Sequence, residues 1–334
     1  MIKYGIVGAG WRSEFYLRIA ALIPETFKVS GIYIRNNQKR EEFSEKYNIP
    51  IFDTLGKLLQ TDYNFIVSCV SKTDICDTVK ELCSKNVPVL TETPVGTSLD
   101  EIDDFFSEIK PDWRVQAAEQ FHFQPRNAAI KSIIENGFLG EIQQVQLSCC
   151  HDYHAASLIR FFLGTGDEMP EGFSFTLQDT VMRYNSREGL LKKMQTVCSD
   201  EKFVILKFKN KTAVYDFSYE QYFSDIRSSR ILIRGTNGEI FNDRCTYLKN
   251  GFPHSFELKR NSYGVNENLD GFTLVSITAE GKVLYENPFK NPRLSDDEIA
   301  IATCLLNMKK YLETGIPFYS LNDAALDSKI FLSV

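Results

Sequence analysis

The sequence predicts an α/β protein: a doubly wound parallel sheet of the Rossmann kind, followed by an α+β domain with an open, largely antiparallel sheet. Three observations carry this reading. The chain starts MIKYGIVGAGWR, in which an apolar run, Tyr4 to Val7, enters Gly8-Ala9-Gly10 and then a segment where Phe15, Ile19 and Leu22 share one helical face. Strand-like and helix-like runs then alternate over the first ~120 residues, the pattern of parallel βαβ units. From Ser174 to Tyr285 the texture changes to strand-like runs with turn signals between some of them, such as Asn237-Gly238 and Glu280-Gly281.

Taken in order, Val29–Ile34 reads as the second buried strand, Gln38–Tyr47 as a helix, Ile49–Phe52 as a short strand and Thr54–Gln60 as a helix. Phe65–Val70 is a near-continuous apolar run, as expected for a parallel strand covered on both faces. A helix over Thr73–Ser84 and a strand over Val87–Leu90 follow, the strand ending at Thr91-Glu92-Thr93-Pro94. Ser98 and Glu101 form a capping box for a helix reaching Ile109, and Val115–Ala118 is one more strand. Beyond Phe121, Ala128–Asn136 is helical and Glu141–Cys150 alternates like a half-buried strand, while Ala155–Leu163 is a helix stopped by Gly164. Phe203–Phe208, Ala213–Phe217, Arg230–Arg234 and Thr273–Ile277 are strand-like; a second capping box, Ser295 with Glu298, opens a long helix through Tyr311, and a last helix begins near Leu321. The expected domains are 1–119 and 120–334, with the C-terminal helix free to pack back on the first.

A length of 334 residues supports two cores, and 43% hydrophobic with 25% charged residues is the composition of a globular protein. A net charge of −6 offers no general attraction for a polyanion, which disfavours nucleic acid and anionic membrane as partners. No apolar run reaches the length of a membrane span and Met1 leads straight into a core strand, so a cytoplasmic location is expected. Eight cysteines are too dilute for a disulfide scaffold. The cluster Cys149-Cys150-His151-Asp152-Tyr153-His154 matches no structural zinc spacing, and adjacent cysteines on a strand point to opposite faces, so no metal is expected.

The opening glycines carry chemistry. Gly8 allows a tight turn, and Gly10 lets backbone approach a pyrophosphate seated on the positive end of the following helix; the third small position of the motif is Ser13. At the end of the second strand, where an acidic residue would bind the ribose hydroxyls of NAD, the chain has Arg35-Asn36. An arginine there can pair with the extra phosphate of NADP, so the expected cofactor is NADP or NAD, with NADP favoured. Ser71-Lys72 sits at the carboxyl end of the fourth strand, where open α/β sheets bind ligands.

The chain resembles the glucose–fructose oxidoreductase and inositol dehydrogenase family, Gfo/Idh/MocA, over essentially its whole length. The marks are GIVGAG at 5–10, VLTETPVG at 89–96, EQFHFQPRNAAIKSIIENGFLGEI at 119–142, HAASLIRFFLG at 154–164, RGTNGEI at 234–240 and GIPFYSLNDAALD at 315–327. The resemblance implies an oxidoreductase interconverting an alcohol and a carbonyl on a sugar, cyclitol or related polar substrate. It also implies an open sheet serving a homodimer or homotetramer. Carried over, Gly8, Gly10, Trp11, Arg12 and Ser13 match the pyrophosphate loop, Arg35 the ribose-selecting position, and Ser71 the nicotinamide side; Glu92 and Gln120 border the same cleft.

Two departures stand out. Thr93 occupies the lysine position of the family's Glu-Lys-Pro motif, making this a Glu-Thr-Pro subgroup, and a threonine hydroxyl is a poor acid or base near neutral pH. Cys150 occupies the place of the aspartate four residues before His154. His154 is the first candidate for proton transfer, because imidazole titrates near physiological pH. Lys72, Tyr153, His122 and Glu119 follow, with Lys72 a cation at a neighbouring strand end. The departures also admit a catalytically silent NAD(P)-binding protein, or a lyase or hydrolase that oxidises its substrate transiently with bound cofactor.

Overall fold

The structure, a computed structural model, describes residues 1–264 and 266–334. In the N-terminal half the elements are β1 (Ile2–Val7), α1 (Trp11–Leu22), β2 (Phe27–Tyr33), α2 (Asn37–Lys46), β3 (Ile51–Phe52), α3 (Leu55–Leu58), β4 (Phe65–Ser68), α4 (Ile75–Ser84), β5 (Val89–Thr91), α5 (Leu99–Glu108), β6 (Val115–Ala117), α6 (Pro125–Glu135), β7 (Ile142–Ser148) and α7 (Asp152–Leu163). Then come β8 (Glu171–Ser186), β9 (Gly189–Lys207), β10 (Thr212–Ser218), β11 (Arg230–Gly235), β12 (Gly238–Phe241), β13 (Arg244–Lys249), β14 (Phe252–Glu257), β15 (Lys259–Gly264), β16 (Phe272–Ala279), β17 (Lys282–Glu286), α8 (Asp296–Thr314) and α9 (Leu321–Leu332). The chain divides into two compact units, one of residues 1–125, 262–275 and 287–328, the other of 126–261, 276–286 and 329–334.

The first unit is built on a six-stranded sheet of order β3-β2-β1-β4-β5-β6, with every recorded pairing parallel. The central strands are apolar on both faces: Tyr4, Ile6, Phe65, Ile66, Val67, Val89 and Leu90 are all buried. The 318–319 segment closes the β6 edge, because the Gln116 side chain accepts from the Phe318 and Tyr319 amides at 2.9 and 3.0 Å, and Ala117 N donates to Tyr319 O. The two expected capping boxes differ in outcome. At α8, Ser295 and Glu298 satisfy each other's backbone amides. At α5, Ser98 accepts from Glu101 N, but the Glu101 carboxylate turns to the amide and hydroxyl of Thr97.

The second unit carries an eight-stranded sheet of order β14-β13-β12-β11-β7-β10-β9-β8, in which only β7 and β10 run parallel among the recorded pairs. Alternation places Val145, Leu147, Ile231, Ile233, Leu206 and Tyr215 on a buried face. The opposite face is open at its β8–β9 end, where Phe173 pairs across from Ile205 and Phe175 from Phe203, the last two rings stacked 4.9 Å apart. Phe173 and Ile205 are 63% and 49% exposed, so this is a bare apolar patch. A three-stranded sheet has the order β15-β16-β17. No helix among the described residues is long and apolar enough to cross a membrane.

Candidate dinucleotide site and imidazole cluster

In the first unit the β1–α1 turn is shaped by its glycines. Gly8 has φ +104°, and a Cβ there would stand 2.5 Å from the carbonyl oxygen of Cys69, so the turn can pass the end of β4 only as glycine. At Gly10, the N-cap of α1, a Cβ would make only an ordinary contact with Cys69 O at 3.8 Å, so the fold itself has room for a side chain there. Gly10 also offers no side-chain cap to the first-turn amides. Ser13 is fully buried and its hydroxyl donates to Gly10 O at 2.6 Å, tightening the turn. These features leave a helix N-terminus facing a cleft of about 730 Å³, lined among others by Gly8, Gly10, Trp11, Arg12, Arg35, Asn36, Lys39, Ser71 and Asp74. The bare cradle and its volume suit a dinucleotide pyrophosphate.

The far end of the cleft carries Arg35 and Lys39 beside the carboxylates of Asp74 and Glu81. The Arg35 side chain is 84% exposed, 3.5 Å from Asp74, and Lys39 stands on the first turn of α2. Asn36 caps that helix by accepting from Lys39 N at 3.0 Å, and Arg40 holds the strand end by donating to the carbonyls of Ile34 and Arg35. Sequence reasoning missed Lys39; its signal was the spacing of three from an Asn N-cap, which returns it to the same helix end.

Glu92 and Gln120 turn inward. Glu92 is buried, accepts from Tyr16 Oη at 2.5 Å and faces Arg12 Nε at 3.5 Å. Burial raises its carboxyl above the usual range although Arg12 and Tyr16 oppose this. Gln120, with its amide oriented to satisfy its neighbours, donates to Ala118 O at 3.0 Å and accepts from Arg12 Nη2 at 3.1 Å. Its neighbour Glu119 is buried, and burial pushes its carboxyl up to about 8, against a lowering by the Phe121 amide that it accepts. Thr93 is half-buried and Lys72 exposed, while the His122 ring meets Tyr319 edge-on at 5.0 Å.

In the second unit α7 starts at Asp152, earlier than the expected Ala155, with His151 as N-cap. Two tyrosine hydroxyls replace a side-chain cap: Tyr222 accepts from His151 N at 3.1 Å and Tyr215 from Asp152 N at 3.2 Å. The His151 ring lies between Tyr222 Oη at 2.9 Å and Tyr153 Oη at 3.1 Å. His154, 5% exposed, packs against the rings of Tyr153 and His151, with centroids 4.4 and 5.0 Å away. The structure thus gathers His154 and Tyr153 with His151, which the sequence reading had not singled out for proton transfer. The expectation for the two cysteines is corrected. Cys149 and Cys150 lie in a bend past the end of β7, outside the pleat that would oppose them, and their sulfurs are 3.8 Å apart. Among the described residues no group of three or more His, Cys, Asp or Glu could hold a metal ion.

Comparison with known proteins bears on the first unit. Residues 2–112 match the family model GFO_IDH_MocA, described as an oxidoreductase family with an NAD-binding Rossmann fold. The matched stretch runs from β1 through α5. Among solved structures, an oxidoreductase from Agrobacterium radiobacter in complex with NAD+, L-tartaric acid and magnesium is similar at 14% identity and TM-score 0.67, over 99% of this chain and 94% of that one. A myo-inositol dehydrogenase from Corynebacterium glutamicum is similar at 14% identity and TM-score 0.64, over 99% and 94%. The transcriptional regulator Gal80p from Kluyveromyces lactis is similar at 13% identity and TM-score 0.66, over 100% and 91%. These likenesses show a shared fold. No curated protein matches the sequence.

Proposed function

We propose that the protein is an NAD(P)-dependent oxidoreductase interconverting an alcohol and a carbonyl on a sugar, cyclitol or related polar substrate, with NADP the preferred cofactor. The observation that carries this is the glycine-lined helix N-terminus opening on a cleft that has Arg35 and Lys39 at its far end, within a stretch matched by an NAD-binding family model. When bound, the nicotinamide supplies the hydride acceptor or donor. Gly8, Gly10, Trp11 and Ser13 hold the pyrophosphate end, Arg12 reaches a polar group of the cofactor from the same turn, Arg35, Asn36 and Lys39 hold the ribose phosphate, and Ser71 borders the nicotinamide side. His154 takes or gives the proton that accompanies oxidation of the alcohol, with Tyr153 and His151 setting its orientation. Lys72, Glu92 and Thr93 complete the candidate set; Glu92 acts through Arg12, since its carboxylate is engaged inside the fold. The bare face of β8 and β9 serves a homodimer or homotetramer, and the site of action is cytoplasmic.

The test is a screen of polyols and sugars with both coenzymes, following NAD(P)H absorbance. Turnover abolished by His154→Ala supports the reading. A second reading, a silent NAD(P)-binding sensor, is favoured by Thr93 and Cys150 and by the likeness to Gal80p, described as a transcriptional regulator. It predicts coenzyme binding with no turnover on any substrate.

A further inference from the structure

Two buried side-chain polar atoms of the first unit have no hydrogen-bond partner among the described residues: Arg12 Nη1 and Ser68 Oγ. The guanidinium of Arg12 is otherwise fixed. Its Nε faces Glu92, its Nη2 donates to Gln120, and its plane lies 5.2 and 5.1 Å from the Trp11 and Phe15 ring centroids. A guanidinium N–H shut away from water with no acceptor costs roughly 1–3 kcal/mol. A side chain held this firmly on its other arms is built to present that donor.

The sheet order says to what. In an arrangement β3-β2-β1-β4-β5-β6 a dinucleotide straddles the switch between β1 and β4, its adenosine half beside the end of β2 and its other half over β4, β5 and β6. Arg12 starts in the pyrophosphate turn, but its partners Glu92 and Gln120 follow β5 and β6, and Ser68 ends β4. Of the two residues Arg12 lines the cleft, and its partners draw its guanidinium toward the β4–β6 side.

We infer that Arg12 is a recognition residue for the nicotinamide of the cofactor: its Nη1 donates to the carboxamide oxygen of the nicotinamide, while Glu92, Tyr16 and Gln120 hold the guanidinium in place. Glu92 balances the charge, so the fork is kept cationic inside the fold. This rests on the proposed cofactor binding.

The experiment compares NADPH with 2′-phospho-ADP-ribose, which carries every part of the ligand except the nicotinamide, on wild type and Arg12→Lys. Lysine keeps a charge beside Glu92 and loses the second arm. The expected result is NADPH binding weakened roughly ten- to a hundredfold, read by nicotinamide fluorescence, with calorimetric affinity for 2′-phospho-ADP-ribose unchanged. Equal weakening of both ligands would place Arg12 on a group that both share and overturn the inference, as would no weakening of either. If Arg12→Lys does not fold, the double variant Arg12→Gln, Glu92→Gln removes the buried pair as a neutral unit and is read the same way. Failure of the wild type to bind either ligand is a different outcome, which removes the proposed function itself.

Discussion

Gly8 passes so close beneath Cys69 that a Cβ would stand 2.5 Å from the cysteine's carbonyl oxygen, and the turn meets this approach with a φ of +104°. Strand β4 therefore fixes where β1 must bend, and the bend fixes where the N-terminus of α1 opens on the cleft. Gly8→Ala combines a left-handed conformation, costing ~1–2 kcal/mol, with an overpacked contact costing ~1–3 kcal/mol. It should lower the melting temperature and abolish NADPH binding. Wild-type affinity in the variant would show that the turn does not shape the site.

The proposed preference for NADP rests on the end of β2. Arg35→Asp should weaken NADPH by about thirtyfold, the equivalent of ~2 kcal/mol for one charge-assisted contact, and leave NADH nearly unchanged. Lys39→Glu should act in the same direction. Equal effects on both coenzymes in a fluorescence titration would remove these side chains from the ribose phosphate.

Glu119 predicts a pH dependence of stability. Its folded carboxyl titrates at about 8, above the usual range of an unfolded glutamate, because burial disfavours its charge. The folded state thus holds a proton that the unfolded chain releases at lower pH, and stability from this group is complete in acid and declines as pH rises toward 8. Glu119→Gln should flatten that decline. The check is the difference in melting temperature between wild type and variant at pH 5.5 and 8.5, and a constant difference would contradict the assignment.

Tyr16→Phe leaves one oxygen of the buried Glu92 carboxylate without the hydroxyl that donates to it at 2.5 Å. An unsatisfied charged acceptor in the interior costs on the order of 1–3 kcal/mol, which a urea midpoint will resolve. A neutral substitution would mean that Arg12 alone satisfies the carboxylate.

On the open sheet, Phe175→Glu places a charge beside Phe203 in the bare patch. If this face joins subunits, sedimentation should show oligomeric wild type and monomeric variant. Monomeric wild type at micromolar concentration would refute the assembly.

How legible these features are in the sequence follows from range. The β1–Gly8–Gly10–α1 turn is local, with its apolar run, glycines and helical face adjacent, and so is the α8 capping box; both read directly. The hairpin of β8 and β9 is harder to see, because strands of 16 and 19 residues exposed over much of their length carry little hydrophobic alternation. The start of α7 is set by Tyr215 and Tyr222, hydroxyls more than sixty positions away, and so it falls three residues before the apolar pattern begins. The pairing of Arg12 with Glu92 and Gln120 spans still longer separations, and only the folded sheet ends bring these side chains together.

The measurement that bears most directly on the central claim is calorimetric titration of the purified protein with NADPH and with NADH. The account predicts saturable binding of one coenzyme per chain, tighter for NADPH, and lost in Gly8→Ala. No heat with either coenzyme, at concentrations where such cofactors saturate Rossmann domains, would contradict it.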